Sequence, residues 1–157
     1  MNFNDATKNE NAHFVATYIE RCNKETEEMI AEESGQFLNE KINYLKNHMN
    51  EFVFIESDSF ERLGVESVCL EVDDVFHTYE MMLGLKLQKK HEGKIRAELE
   101  ERLKAELKYS LLFNQGDGLW ELNFALNGIA GFHENLSIME VCQLVYLLLN
   151  ELVEAIR

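Results

Sequence analysis

The chain has 157 residues, in which 29 Asp and Glu stand against 15 Lys and Arg, for a formal net charge of −14. This length suits a single globular domain over residues 1–157, and 46% apolar residues exclude a disordered acidic tail. The charge argues against direct nucleic-acid binding, which depends on Lys and Arg, and against docking on an anionic membrane.

Cysteine usage and the lack of targeting signals predict a cytoplasmic protein. Cys22, Cys69 and Cys142 are an odd number without CxxC spacing, which favours free thiols in a reducing compartment. The N-terminus lacks the basic start and apolar run of a signal peptide. The most apolar stretch, Val141 to Leu149, is far shorter than the ~20 residues that cross a bilayer.

Helical spacing of apolar residues predicts two helices in the first third of the chain. The first helix would cover residues 10–33. The second would present a stripe that repeats at intervals of four and three: Leu38, Ile42, Leu45, Met49 and Phe52. Ser34-Gly35 would either separate the two helices or bend one long helix.

The middle of the chain predicts a short strand followed by two helices. Residues 68–72 alternate between apolar and other side chains, as a half-buried strand does. Asp73 or Asp74 would cap the next helix, which turns Val75, Phe76, Tyr79, Met82 and Leu83 inward. Residues 86–108 predict a charged helix with i,i+4 ion pairs Glu92/Arg96, Glu98/Arg102 and Glu100/Lys104.

The last third predicts a hairpin and a buried helix. Strict alternation in residues 119–127, beside a Gly-Asp-Gly turn, indicates a 109–127 hairpin. Ser137 and Glu140 form a capping box that begins a largely apolar helix over 138–156. We therefore expect an α+β fold: about five helices packed on a small antiparallel sheet, with a buried C-terminal helix.

The sequence contains no motif that specifies a catalytic site, a metal site or a cofactor. Glu10-x-x-His13 and Asp74-x-x-His77 have the spacing of di-iron ligands, but two such pairs are close to the number expected by chance. GxSxG and a phosphate loop are absent. His133-Glu134 is better explained as a solvated loop pair than as a catalytic one.

The charge is unevenly distributed along the chain. Residues 56–80 hold eight acids against Arg62 alone, and residues 10–40 hold eight acids against two bases. Because mutual repulsion opposes compactness, packing does not require this excess, although solubility could account for it. We predict a surface complementary to a basic partner, formed by Glu56, Asp58, Glu61, Glu66, Glu71, Asp73 and Asp74.

These features favour a protein-binding domain over an enzyme. The preferred hypothesis is an immunity protein or antitoxin-type inhibitor that covers the basic cleft of a bacterial nuclease toxin, with Phe54 or Phe60 as an anchor. One alternative is a small enzyme or ligand-binding domain whose pocket joins His77, Tyr79 and His133. The other is a homo-oligomeric regulatory subunit, such as a homodimer through 138–156.

Overall fold

The computed structural model describes residues 14–157, in which seven strands form one antiparallel sheet. The strand order is β2-β1-β3-β4-β5-β7-β6, so β2 and β6 are the two edges. The strands are β1 (Ala16–Asn23), β2 (Met29–Glu33), β3 (Glu51–Ser57), β4 (Val65–Val72), β5 (Tyr79–Leu85), β6 (Tyr109–Asn114) and β7 (Leu119–Ala125).

Three α-helices occur within residues 14–157, and only two of them are longer than five residues. They are α1 (Asp58–Arg62), α2 (Glu92–Arg102) and α3 (Ile138–Ile156). Short 3-10 helices cover Gly35–Asn39, Ile42–Lys46, Lys89–His91 and Leu126–Gly128. The expectation of about five helices on a small sheet is therefore wrong, although the α+β character is confirmed.

The two faces of the sheet differ in burial. In β3 and β5 every second side chain is fully buried, including Val53, Ile55 and Met81, and the alternate side chains are half-buried. The buried side chains form the inner face, which shares one hydrophobic core with α3. Phe60 of α1 contacts Tyr146 of α3, with ring centroids 6.3 Å apart. The other face, here called the outer face, is the one that carries Phe54, Cys69 and Met82, which are cross-strand neighbours.

Three hairpins of the sheet are closed by the same six-residue turn. The turns run from Asn23 to Glu28, from Asp73 to Thr78 and from Asn114 to Leu119. In each turn the first side chain accepts from backbone N–H groups inside the turn. The first carbonyl accepts from the fifth residue, which has positive φ: Glu27 (64°), His77 (58°) and Gly118 (68°).

The helices predicted in the first third of the chain are replaced by strands and 3-10 turns. Ile19 lies on the inner face, whereas Cys22, three residues later, lies on the outer face beside Phe52. Both residues are apolar at a spacing typical of a helix because neighbouring strands shield each of them on its own face of the sheet. Leu38, Ile42 and Leu45 are buried as predicted, but two 3-10 helices place them there. The described residues begin at 14, so Glu10 and His13 lie outside them.

The helix predicted after Asp73 is a turn and a strand. The Asp73 carboxylate accepts from Val75 N and Phe76 N, as a helix cap would, but the chain then reverses at His77. The predicted strand 68–72 is the end of β4. The predicted 86–108 helix is shorter, and its Glu92–Arg96 and Glu98–Arg102 pairs form. Lys104 lies beyond α2, and Glu100 accepts instead from the Tyr109 hydroxyl at 2.9 Å.

The last third of the chain agrees with the sequence analysis. Strands β6 and β7 form the 109–127 hairpin, with Trp120, Leu122 and Phe124 buried on the inner face. Ser137 and Glu140 form both hydrogen bonds of the capping box, at 3.0 Å and 2.8 Å. Helix α3 then buries ten of its side chains in the core.

Candidate partner-binding surface

The outer face is acidic across the whole sheet. Because register partners of neighbouring strands share a face, the pairing assigns its members directly. The strand positions on this face include no Lys or Arg and six glutamates: Glu20, Glu32, Glu56, Glu71, Glu80 and Glu121. A solvated face would normally mix both signs of charge, so this composition is unusual for a surface that serves solubility alone.

Two pairs of these glutamates lie directly opposite each other on neighbouring strands. Glu20 of β1 is the register partner of Glu32 of β2, and Glu71 of β4 is the register partner of Glu80 of β5. Like charges at such positions destabilise a sheet. The isolated fold therefore carries a repulsion at two places that a basic partner would relieve.

Apolar side chains lie between the glutamates. The rings of Tyr18 and Phe54 meet edge to face at 6.2 Å, and Phe54 neighbours Cys69 and then Met82 across the sheet. Beside them, Leu119 packs close to Gly84, where an added Cβ would come within 3.1 Å of it. A depression of about 350 Å³ there is lined by Met82, Leu112 and Leu119, among other residues.

The electrostatics of this face are visible in two pKa shifts. The Tyr18 hydroxyl donates to Glu20, and this hydrogen bond is the main reason that its pKa rises to about 12. Burial raises the pKa of the Glu71 carboxyl, while Lys24, with Nζ 3.6 Å from Glu71, works against the increase. The first shift is the one expected beside a carboxylate, whereas the second comes mainly from burial.

The seven acids predicted to bind a partner fall into two groups. Glu56, Asp58, Glu61 and Glu66 lie near the start of β4, and three of them line a depression of about 410 Å³ together with Lys86. The second group follows the other end of the strand: Glu71, Asp73 and Asp74. The length of β4 separates the groups by roughly 23 Å. They do not form one patch, but Glu56 and Glu71 belong to the outer face that joins them.

Besides Glu71, which Lys24 contacts, two more of the predicted acids have structural contacts. The Asp73 carboxylate accepts from Phe76 N and Val75 N, and the bond from Phe76 is the main reason that its pKa is lowered. Asp74 pairs with Lys24 at 2.9 Å, and the same Lys24 ammonium also donates to the Val72 carbonyl at 2.5 Å. These bonds join the β1–β2 hairpin to the β4–β5 hairpin at one end of the sheet.

Sequence reasoning left Glu20, Glu80 and Glu121 out of the acidic surface. The signal was present in β3, where Phe52, Phe54 and Glu56 alternate with buried Val53 and Ile55. Phe52 had been assigned to a helical stripe, which concealed this alternation. Recognising β3 as a strand would have placed Glu56 and the two phenylalanines on one face.

The residues of the alternative pocket hypothesis line neither of the depressions described above. Tyr79 is buried, and its hydroxyl donates to Glu134 at 2.7 Å, while Lys46 pairs with the same carboxylate at 2.7 Å. His77 lies in the exposed β4–β5 turn, and the His133 ring accepts from Asn135 N. The enzyme alternative stays a prediction.

Helix α3, the predicted homodimer surface, turns its apolar side chains into the chain's own core. The large apolar side chain that it leaves exposed is Leu147. Homodimer formation through 138–156 stays a prediction. No α-helix in the described part of the chain is long and apolar enough to cross a membrane. Within the same residues no group of three or more His, Cys, Asp or Glu is placed to hold a metal ion.

No protein-family model matches the chain, and neither a curated protein nor a solved structure shows significant similarity to it. Its function therefore has to be argued from its own surfaces.

Proposed function

We propose that this chain is a protein-binding domain that receives a basic partner on its outer face, as an immunity protein or antitoxin-type inhibitor of a bacterial nuclease toxin. The observation that carries the proposal is the outer face itself: six glutamates without Lys or Arg, around apolar side chains that no described helix covers.

The arrangement of charge supports a basic partner. The opposed pairs Glu20/Glu32 and Glu71/Glu80 weaken the isolated sheet, and a positively charged partner would add attraction to that which Lys24 already gives Glu71. An excess of one sign of charge over a whole face also accelerates association with a partner of opposite charge. Lys24 and Lys86, which flank the face at its two ends, leave its centre negative.

The apolar centre supports a protein rather than a small basic ligand. Aromatic side chains are enriched among the residues that dominate protein–protein affinity, and Tyr18, Phe52 and Phe54 lie together on the outer face. Their half-buried state leaves apolar area for a partner to cover. Carboxylates around an aromatic centre would both raise the association rate and increase the affinity for a partner.

A nuclease toxin fits this chemistry because its cleft must attract a phosphate backbone and is therefore basic. Carboxylates can occupy such a cleft in place of phosphates. Within this proposal the chain acts in the cytoplasm, and the free thiols of Cys22, Cys69 and Cys142 are compatible with that compartment.

The test uses the basic toxin domain whose gene the proposal expects directly upstream of this one. Charge reversal at Glu20, Glu56 and Glu80 to Lys should lower the association rate constant about tenfold at low salt and reduce its salt dependence. The matched control reverses three exposed acids away from the outer face: Glu101, Glu106 and Glu154. Stopped-flow fluorescence measures both, and a toxicity assay reports protection.

A third variant reverses the charge of Asp58, Glu61 and Glu66. It measures the contribution of the cluster near the start of β4 separately from that of the outer face. Equal effects of the outer-face and control variants would contradict the assignment of the surface. If no upstream gene encodes a basic domain and the wild-type chain binds no basic protein, the proposed function is wrong.

A further inference from the structure

The β4–β5 turn carries two apolar side chains in full contact with solvent. Val75 is 76% exposed and Phe76 is 79% exposed, the largest exposed fractions among the large apolar side chains of residues 14–157. A single exposed apolar residue on a surface is ordinary. Two adjacent ones at the tip of a hairpin, including a phenylalanine, call for a physical reason.

The turn itself does not require them. The other two hairpins close with the same turn, and at the positions of Val75 and Phe76 they have Glu25-Thr26 and Gly116-Asp117. The core does not require them either, because their side chains lie in solvent. Neither the local conformation nor the packing of residues 14–157 explains two apolar side chains here, whereas contact with another molecule would.

Hydrogen bonds and an ion pair hold the backbone of the tip in place. Asp73 fixes the backbone N–H groups of both Val75 and Phe76, at 2.9 Å and 2.6 Å. The base of the turn is tied to the β1–β2 hairpin because the Lys24 ammonium contacts Asp74 and the Val72 carbonyl. A side chain presented from an ordered backbone loses little conformational entropy on binding.

The surroundings of the tip are acidic. Asp74 lies beside it, and the neighbouring hairpin, which Lys24 joins to it, carries Glu25, Glu27 and Glu28 in exposed positions. Such a field opposes insertion into an anionic membrane. It favours a protein cavity that is apolar inside and basic at its rim.

We propose that Val75 and Phe76 form an anchor that enters an apolar cavity with a basic rim on the partner. This inference rests on the proposed function and adds a second contact at the end of the sheet. The outer face then governs mainly how fast the partner arrives. The anchor governs mainly how long it stays, since apolar contacts act chiefly on dissociation.

The test compares Phe76→Thr with Asp117→Thr. Both substitutions introduce threonine at the fourth position of the turn, where the β1–β2 turn has Thr26. The two substituted turns lie at opposite ends of the sheet. With the upstream basic domain immobilised, Phe76→Thr should accelerate dissociation about tenfold, with the association rate and its salt dependence unchanged. Asp117→Thr should leave dissociation unchanged. Thermal unfolding of both variants serves as the folding control.

Dissociation of Phe76→Thr at the wild-type rate overturns the anchor, whereas the proposed function stands if outer-face reversal still slows association. If the wild-type chain binds no basic domain, the proposed function fails. A separate crosslinking experiment, the crosslinking arm, then decides whether Val75 and Phe76 form an anchor.

In that arm p-benzoylphenylalanine replaces Phe76, or Asp117 as control, in the full chain expressed in its native host. A position-76 adduct with another protein, mapped to an apolar site flanked by Lys or Arg, supports the anchor. An adduct within the chain, with a second copy or with lipid overturns it, as does no adduct or the same adduct from position 117.

Discussion

Glu71 of β4 and Glu80 of β5 face each other directly across the outer face of the sheet. Two carboxylates in register on neighbouring strands repel each other, and Lys24 contacts only Glu71 of the two. We expect Glu80→Gln to increase the free energy of unfolding by about 0.5 kcal/mol at pH 7. The amide oxygen can still accept from the Thr78 hydroxyl, which donates to Glu80 at 2.7 Å.

Urea unfolding measures this change, with the fluorescence of buried Trp120, the single tryptophan of the chain, as the signal. Glu56→Gln is the control because Glu56 faces Tyr18 across the β1–β3 pair and not a second carboxylate. The same Glu80→Gln variant should associate more slowly with a basic partner. A loss of stability in Glu80→Gln would show that the pair is not repulsive.

The stability of the fold should depend on the protonation of Glu71. Burial raises the pKa of its carboxyl above the usual value, so the folded state binds this proton more tightly than the unfolded state does. The contribution of Glu71 to the free energy of unfolding is therefore favourable at low pH, and it is lost as the pH rises through the raised pKa. Relative to Glu71→Gln, the wild-type chain should lose stability as the pH rises from about 4 through the raised pKa of Glu71.

Urea unfolding of both proteins across that range tests the sign. Parallel pH profiles of wild type and Glu71→Gln would mean that Lys24 compensates fully for the burial of the carboxyl.

The Asp73 carboxylate should stabilise the β4–β5 turn through its two backbone hydrogen bonds. We expect Asp73→Ala to lower the free energy of unfolding by about 1 kcal/mol, the usual effect of losing a side-chain cap. Asp73→Asn keeps the acceptor oxygen and reproduces the residue found at this position in the other two turns, Asn23 and Asn114. It should cost only a few tenths of a kcal/mol.

The pH dependence separates these two variants further. Hydrogen bonding lowers the pKa of Asp73, so its contribution is present above the unfolded pKa and is lost as the pH falls through the folded one. Acid titration of stability should show this loss in the wild type and not in Asp73→Asn. An equally steep acid loss in both would assign it to other carboxyls.

The Arg21 guanidinium joins three elements on the inner face at the edge of the sheet. It contacts Glu33 of β2 at 2.7 Å and Glu51 of β3 at 3.1 Å, and Glu51 also accepts from the Tyr44 hydroxyl. Glu51 is only 6% exposed, so its removal leaves a buried charge less compensated. We expect Glu51→Gln to cost about 2 kcal/mol and Glu33→Gln about 0.5 kcal/mol.

Chemical denaturation of both variants gives these differences, and Tyr44→Phe is the control for the hydroxyl contact. A larger effect at Glu33 than at Glu51 would show that the shorter contact matters more than burial.

The sequence predicted correctly those elements whose signals are local. The Ser137/Glu140 capping box and the alternation in β7 each depend on residues a few positions apart, and both are present as expected. Strand β1 was missed because side chains such as Cys22 are buried by neighbouring strands, which local periodicity does not show, and β3 was missed because Phe52 also fits a helical stripe. Of the seven acids predicted to bind a partner, Glu56 and Glu71 lie on the outer face, whose extent depends on strand pairing over about 40 residues, such as Glu80 with Ala125.

The use of one turn in three hairpins separates two demands on the chain. The first and fifth positions maintain the backbone of the turn, whereas the third and fourth positions accept Glu-Thr, Val-Phe and Gly-Asp while the hydrogen bond from the fifth N–H to the first carbonyl is kept. Substitutions at those two positions can therefore accumulate without disturbing the sheet. A lineage of such proteins could acquire new binding partners by exchanging tip residues, on a framework whose folding does not depend on them.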